Sequence, residues 1–250
     1  MQLEFEDYHN IISDNWIDSY EKDKFLLWQD IQSIAANTHI LKTLFGFPFY
    51  ELLGSMPPFW QILKYNYYHH TLLIIAKLIE QSGDCLSLRS LKTGIRINVK
   101  NSKIGGDFEN DLKILNFDKK VARIERKVLE LRNNKIAHYI KNWNSQHSIV
   151  QLNMVAPKIS EIDSITQEIC KLYNYLCFNE KYTMDIRMIL QQDIDYVDHL
   201  LSDLASKGRV LNMPEKEPDL WLEHKQQLEP NNFTIINEWR VKFGLPVLAP

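Results

Sequence analysis

The sequence contains little glycine, with eight glycines among 250 residues, and long intervals contain neither glycine nor proline. A β protein needs many short strands joined by tight turns, and those turns depend on these two residue types. The scarcity of glycine therefore argues against an all-β fold and favours helices. A hydrophobic content of 45% in a chain of this length is enough to bury a substantial core.

Cysteine is also scarce, and its pattern excludes two classes of protein. The three cysteines have no metal-ligand spacing, and an odd number argues against the disulfide framework of a small secreted domain. Cys170 and Cys177 lie seven residues apart on a predicted helix, so they share a face and are most simply small core residues. We identify no cofactor motif and no metal-ligand set, and we therefore expect neither a cofactor nor a bound metal.

Long apolar runs are absent as well. The most apolar stretch, residues 71–79, is short and is interrupted by Lys77. The chain does not open with a cationic start, an apolar run and a small-residue cleavage site, which together would indicate a secretory signal. We therefore expect a cytoplasmic protein with no membrane span.

The net charge is small, but its distribution is uneven. A formal charge of −3 and a pI near 6.2 do not indicate a general nucleic-acid binder or a polybasic membrane protein. Residues 89–141, however, contain 14 Lys and Arg against 6 Asp and Glu, a local charge of +8 that leaves −11 for the rest. The sequence thus predicts one basic segment within an acidic protein.

Apolar residues recur at helical spacing along most of the chain, which predicts an all-α fold. Pro57 and Pro58 are expected to open a buried helix, because a proline in the first turn loses no needed N–H. A polar loop is expected at 101–106, and a short extended piece at 149–155. The predicted helical segments are 8–44 as one or two helices, 58–81, a helix from Asp107, 119–132, 158–178, 184–206, 220–228 and 233–243.

The chain is expected to divide into a main helical domain and a C-terminal addition. Residues 1–211 are predicted to form the domain, and residues 212–250 a helical extension packed on it. Trp221 and Trp239 would be poorly placed in a solvated linker, which favours packing over a free tail.

The segment 119–132 is the most regular helix in the sequence. One face is apolar, and the opposite face carries most of its cations. Arg132 projects within about 20 degrees of Val121, along the apolar stripe. A cation there needs a partner or a ligand. The apolar residues are Val121, Ile124, Val128 and Leu131, and the cations are Lys119, Lys120, Arg123, Arg126 and Lys127.

Two interpretations of this basic face stay open. It can be a solvated helix face on which Glu125 and Glu130 pair with cations three or four positions away. It can also be a surface that contacts an RNA backbone. Basicity alone does not separate these interpretations.

The stretch LRNNKIAHYI, residues 131–140, carries the residues most suited to chemistry. The guanidinium of Arg132 can fork onto phosphate oxygens, and the imidazole of His138 can move protons near neutral pH. On an unbroken helix these two side chains would diverge by about 240 degrees. Asn133 and Asn134 favour a break, so we expect one helix to end near Arg132 and the next to begin near Lys135.

Arg132, the polar Asn133 directly after it and His138 resemble the Arg-x4-6-His motif of HEPN domains, which are all-helical modules of bacterial and archaeal toxins and other nucleases. The wider frame is similar to the HEPN branch associated with abortive infection of phage. That frame consists of a long N-terminal helical region, a buried helix ending in KLIEQSGDCLSLRSL, and then LRNNKIAHY. The resemblance covers roughly residues 8–205, and it implies a HEPN-like antiparallel helical bundle with extra N-terminal and C-terminal helices.

The resemblance implies a metal-independent endoribonuclease that cleaves RNA through attack by a ribose 2'-OH. His138 would serve as general base or acid, and Arg132 would neutralise the phosphorane. Asn133 would orient His138 or donate to a phosphate oxygen. The residues expected to bind substrate are Lys135, Tyr139, Arg123 and Lys127.

The resemblance also implies partners. Members of this family are usually symmetric dimers whose two motifs face one cleft, so a homodimer is expected, with RNA as the substrate. A toxin of this kind is also expected to have a cognate antitoxin.

Two other functions remain as alternatives. The first is a non-catalytic HEPN-like dimeric scaffold that binds RNA or a partner protein. The second is a purely structural role in which Arg132 is paired with Glu80 or Asp84. His69 and His70, beside several tyrosines, have no acidic residue three or four positions ahead, and they are expected to serve in helix packing.

Overall fold

The computed structural model describes residues 1–81, 85–133, 156–178 and 186–248. Within these ranges the regular structure is helical, apart from an isolated antiparallel bridge between Ile12 and Val99. The predicted all-α fold is confirmed. The helices are α1 (Tyr8–Ile11), α2 (Ile17–Gly46), α3 (Phe49–Leu53), α4 (Pro58–Leu78), α5 (Leu88–Ile97), α6 (Ser102–Leu115), α7 (Phe117–Leu131), α8 (Ile159–Leu176), α9 (Ile186–Ser206), α10 (Arg209–Lys216), α11 (Pro218–Lys225) and α12 (Pro230–Lys242).

Most predicted helices are present. Pro58 opens α4 as expected. The loop predicted at 101–106 is wrong, because α6 already begins at Ser102, where the Asn101 side chain caps it by accepting a hydrogen bond from the Ile104 N–H at 3.0 Å. Helices α3, α5 and α10 were not among the predicted helical segments, and α10 contains Pro214. The extended piece predicted at 149–155 lies outside the described residues.

The chain separates into two compact units. The first comprises Met1–Thr38 and Tyr67–Met188, and the second comprises His39–Asn66 and Ile189–Pro250. The domain boundary predicted between residues 211 and 212 stays a prediction; α10, Arg209–Lys216, spans those positions.

The first unit is built around the packing of α8 against α7 and α5. All four apolar residues predicted for α7 are buried, and α8 contributes a matching row that includes Ile162, Ile165 and Ile169. Gly94 allows α5 to approach Trp16 closely, because a Cβ there would lie 2.4 Å from the indole ring. These contacts fix the position of α7 against α8.

The second unit is organised around a fully buried arginine. The Arg240 guanidinium donates hydrogen bonds to the carbonyls of Leu211 and Pro246, each at 2.7 Å, and forms an ion pair with Glu215. These bonds satisfy the buried charge and tie α12 to α10. Trp221 is buried, and Trp239 packs edge-on against Phe47. Both tryptophans are thus packed within this unit.

Among the described residues, none of the helices has the length and the apolar character that a bilayer crossing requires.

Candidate functional site

Three charged residues on α7 and at its end occur at intervals of seven: Asp118, Glu125 and Arg132. Seven residues are close to two helical turns, so the three side chains lie on nearly one face. Each contacts a charged group from the region that ends α4 and begins α5. We call these three residues the charged row of α7.

Arg132 stands where α7 ends. The backbone widens into a π-type turn at Arg132 and Asn133, directly after the last α-helical residue, Leu131. Turns of this kind are frequent at functional sites because they redirect side chains away from the helical pattern. The turn agrees with the predicted end of the helix near Arg132. The helix start predicted near Lys135 lies outside the described residues.

The Arg132 guanidinium is held by two neighbours. Its Nη1 donates to Oε2 of Glu80 at 2.5 Å, and its Nε donates to Oδ1 of Asn133 at 2.9 Å. Among the described residues, no hydrogen bond engages the remaining nitrogen, Nη2. An arginine oriented in this way offers a fixed cation with unused donors, which is the geometry that recognition of a phosphate oxygen requires.

Glu80 is itself held in place by the start of α5. Its backbone carbonyl accepts a hydrogen bond from the Ser87 hydroxyl at 2.8 Å, and its Oε1 accepts one from the Gln81 N–H at 3.1 Å. Arg89 donates to the adjacent carbonyl of Ile79 at 2.6 Å. The carboxylate that contacts Arg132 therefore projects from a fixed backbone.

Arg89 links this backbone to the charged row. Its guanidinium contacts Glu125 at 2.5 and 2.9 Å and Asp118 at 3.0 Å. The hydrogen bonds from Arg89 to Glu125, opposed by burial, raise the pKa of Arg89. Burial would raise the pKa of Asp118, but hydrogen bonds from Lys92 and Arg89 outweigh it and lower that pKa. Arg89 and Asp118 are therefore both charged at neutral pH.

An open cleft of about 510 Å³ lies over this network. Its cations are balanced by the carboxylates around them, since Lys92 pairs with Asp118 and Arg96 pairs with Glu109. The cleft is therefore polar without a large excess of positive charge. It is lined by Gln81, Arg89, Lys92, Thr93, Arg96, Asp118, Ala122 and Glu125.

The basic face of α7 is partly neutralised by α8. Lys127 donates to both carboxylate oxygens of Glu161, at 2.7 and 2.8 Å, and Lys120 contacts Glu168 at 3.0 Å. Arg123 is exposed, and the nearby charge of Glu161 acts on it without a close contact. Of the two residues on this face predicted to bind substrate, Arg123 is thus accessible and Lys127 is already engaged.

Glu125 does not have the role that the solvated-face interpretation gives it. In that interpretation it pairs with cations on its own helix, but it is buried and bonds to Arg89 and Gln81. The correction has a simple cause: Glu125 follows Ile124 on the face turned toward the core, so its partners come from other elements.

The described residues bring together part of the predicted site. Arg132 and Asn133 are in direct contact, whereas His138, Lys135 and Tyr139 lie outside the described residues. The pairing of Arg132 with Glu80, which the structural alternative required, is present. The sequence analysis missed Arg89. The seven-residue spacing could have shown that Asp118, Glu125 and Arg132 share a face, but it does not identify Arg89 as the cation that contacts two of them.

The other candidates serve in packing. His70 Nδ1 lies 3.2 Å from the amide nitrogen of Asn37, and the ring of His69 packs on Tyr68. Burial raises the pKa of Cys170 to about 11, and Cys177 is fully buried. In the described part of the chain, no three His, Cys, Asp or Glu side chains are grouped so that they could hold a metal ion.

Comparison with known proteins adds a family. The family model HEPN_AbiU2, described as AbiU2, matches residues 27–200, which is more than half of the chain and includes the whole segment 131–140. No curated protein and no solved structure matches. The matched range contains α7, the charged row and the Arg132 turn. The chain therefore belongs to the HEPN_AbiU2 family and is a HEPN-domain protein of the Abi-type branch.

Proposed function

We propose that this protein is a metal-independent endoribonuclease that acts as a toxin in abortive infection, an anti-phage defence. The observation that carries the proposal is the Arg132 guanidinium, held by Glu80 and Asn133 at the π-type turn that ends α7. Membership in an Abi-type HEPN family supports the same assignment.

In the proposed reaction, the 2'-oxygen of a ribose attacks the adjacent phosphorus and the bond to the 5'-oxygen breaks. His138 moves a proton as general base from the 2'-OH or as general acid to the 5'-oxygen. Arg132 neutralises the charge that develops on the non-bridging phosphate oxygens. The products carry a 2',3'-cyclic phosphate and a 5'-hydroxyl, and DNA is not cleaved because it lacks the 2'-OH.

Asn133 takes a more specific role in this proposal than the sequence indicated. Its Oδ1 accepts the hydrogen bond from Nε of Arg132, so it orients the arginine. Its amide nitrogen can then donate to a phosphate oxygen. Lys135, Tyr139, Arg123 and Lys127 are proposed to bind the RNA around the scissile phosphate, and Lys127 must share or release Glu161 to do so.

The protein is proposed to act as a cytoplasmic homodimer, and a cognate antitoxin is proposed to inhibit it. Neutralisation of Lys120 and Lys127 by α8 reduces the positive surface available to RNA from one copy of the motif. Two copies facing one cleft would double the cations around a phosphate backbone, which binds in proportion to the charges that it neutralises.

A non-catalytic, dimeric HEPN scaffold that binds RNA or a protein is the second candidate. It is favoured by the same neutralisation of basic side chains, and by the pairing of Arg132 with Glu80, which satisfies this cation without a substrate. The scaffold predicts RNA binding without cleavage.

The decisive experiment incubates purified protein with total RNA in EDTA and compares the wild type with His138→Ala. His199→Ala, which removes an exposed histidine of α9, is the matched control. We expect fragments ending in 2',3'-cyclic phosphate from the wild type and from the control, and intact RNA with His138→Ala. A DNA oligonucleotide of matching sequence should stay intact.

The other outcomes separate the candidates. Intact RNA with every variant, across several RNA pools, would replace the ribonuclease by the scaffold. Equal cleavage by His138→Ala and the wild type would reject this histidine as the catalytic group.

A further inference from the structure

We propose that Glu80 is a positioning residue for Arg132. It holds the guanidinium in the orientation that stabilises the phosphorane, and it lowers the affinity of the protein for RNA in the ground state. The inference rests on the proposed ribonuclease function and adds a residue that lies 52 positions from Arg132 in the sequence.

Glu80 and Asn133 bind different nitrogens of the Arg132 guanidinium. Glu80 engages Nη1 through one oxygen, and Asn133 engages Nε on the other flank. A guanidinium is planar, so fixing these two nitrogens fixes the direction of the Nη2 hydrogens as well. The two partners thus leave a defined part of the cation for a phosphate oxygen.

Glu80 is held rigidly by hydrogen bonds to its own backbone and carboxylate and to the residue before it. Three groups from the start of α5 and the neighbouring chain restrain it: the Ser87 hydroxyl on its carbonyl, the Gln81 N–H on its carboxylate, and Arg89 on the carbonyl before it. Ser87 is also the cap of α5, through reciprocal hydrogen bonds with Ser90. A carboxylate on such a support can impose its position on Arg132.

Helix α7 is anchored to Arg89, the same residue that restrains the backbone next to Glu80. Arg89 binds Glu125, which lies two turns before Arg132 on the same face of the helix. Arg89 therefore anchors both partners of the contact between Glu80 and Arg132. It holds Glu80 through the carbonyl of Ile79, and it holds Arg132 through Glu125 on α7. Catalytic groups held by supporting contacts of this kind keep the accuracy that the reaction requires.

The negative charge of Glu80 acts against the binding of RNA. A carboxylate beside Arg132 repels the phosphate of bound RNA, so removing it cannot weaken ground-state binding by charge. Loss of positioning, by contrast, raises the barrier, because the arginine must then be ordered during the reaction. A positioning role predicts that kcat falls while KM stays the same or falls.

The test measures kcat and KM on a short RNA for the wild type, Glu80→Ala and Glu80→Gln. For Glu80→Ala we expect a loss in kcat on the order of tenfold to a hundredfold without a rise in KM. Glu80→Gln should be intermediate, because its amide oxygen can still accept the hydrogen bond from Nη1 but lacks the charge.

Asp30→Ala is the matched control. Asp30 has the same exposed side-chain fraction as Glu80, 21%, and it pairs at 2.6 Å with Lys77, three residues before Glu80 on α4. Its removal should leave kcat and KM unchanged. Thermal unfolding of every variant separates loss of fold from loss of positioning.

Each outcome decides the proposal. An unchanged kcat in Glu80→Ala, with an active wild type, would overturn the positioning role and leave the ribonuclease assignment intact. A raised kcat would also overturn it and would make Glu80 an inhibitory contact. An inactive wild type would overturn the proposed function and the positioning role together.

A second measurement confirms the sign independently of turnover. A 2'-O-methyl RNA oligonucleotide lacks the nucleophilic hydroxyl, so its binding can be followed by fluorescence anisotropy without cleavage. We expect Glu80→Ala to bind this RNA at least as tightly as the wild type. Weaker binding would show that Glu80 supports RNA binding and would contradict the predicted electrostatic sign.

Discussion

Glu80 and Arg132 are in contact although 52 residues separate them in the sequence, with Nη1 of Arg132 donating to Oε2 of Glu80 at 2.5 Å. Glu80 comes shortly after α4, and Arg132 comes directly after α7, so the contact joins the ends of two helices. The same ion pair fits a catalytic arginine and a structural one, and the two roles differ in what its removal costs.

Replacing Arg132 separates these roles. The Arg132 and Glu80 side chains are 26% and 21% exposed, and a partly solvated pair contributes at most about 1 kcal/mol to folding. For Arg132→Ala we expect Tm to fall by about 2–4 °C and kcat to fall by about a hundredfold. Arg132→Lys should lose similar activity, because one ammonium group cannot reproduce the fork between Glu80 and Asn133. Calorimetry and RNA cleavage on the same preparations check both; a large loss of Tm with full activity would support the structural role.

Arg89 is predicted to matter more for stability than Arg132. The Arg89 and Glu125 side chains are 13% and 10% exposed, so Arg89→Ala leaves a buried carboxylate without its cation. Breaking a buried pair in this way costs about 3 kcal/mol or more. The control is Arg96→Ala on the same helix, whose pair with Glu109 is largely exposed and should contribute less than about 1 kcal/mol. Urea denaturation of both variants measures the difference, and equal costs would contradict the importance assigned to burial.

Acid should weaken the packing of α8 on α7. Burial alone would raise the pKa of Glu161 and Glu168, but hydrogen bonds from Lys127 and Lys171, among others, outweigh it, so both values lie below the ordinary 4.5. Because the folded state has the lower pKa, these carboxylates stabilise it above about pH 4.5, and the stabilisation is lost as pH falls through the folded value.

The double variant Glu161→Gln with Glu168→Gln tests this linkage. Its free energy of unfolding should lie below that of the wild type at pH 7, and the gap should close as pH falls to about 3. Chemical denaturation across this pH range gives the two curves. A gap that stays constant with pH would mean that the two glutamates do not titrate with folding.

Much of the fold could be predicted because the signals that start, shape and end a helix lie within a few neighbouring residues. The apolar spacing of α7, the proline that opens α4 and the Asn-Asn pair after Arg132 each act within a few residues, so their consequences can be read from the sequence. Asn101 shows where such a prediction failed, since it caps α6 where a polar loop was expected. Helix α10, which contains Pro214, was also missed.

The candidate site was predictable only in part. The segment 131–140 singled out Arg132, Asn133 and His138, and the family match contains all three. The partners of the charged groups could not be assigned from the sequence, because Glu125 pairs with Arg89 on another helix and not with a cation of its own helix. The positive charge counted in residues 89–141 is likewise reduced by Glu80, Glu161 and Glu168, which come from outside that segment.

The sequence by itself determined the helical class, the order of most helices and the residues suited to phosphate chemistry, because these depend on short-range periodicity and on side-chain type. Only the tertiary structure decided which carboxylate holds Arg132, which cations remain accessible, and how Arg89 joins the end of α4 to α7. Such contacts connect residues tens of positions apart, and they form only where packing of the apolar faces brings the helix ends together.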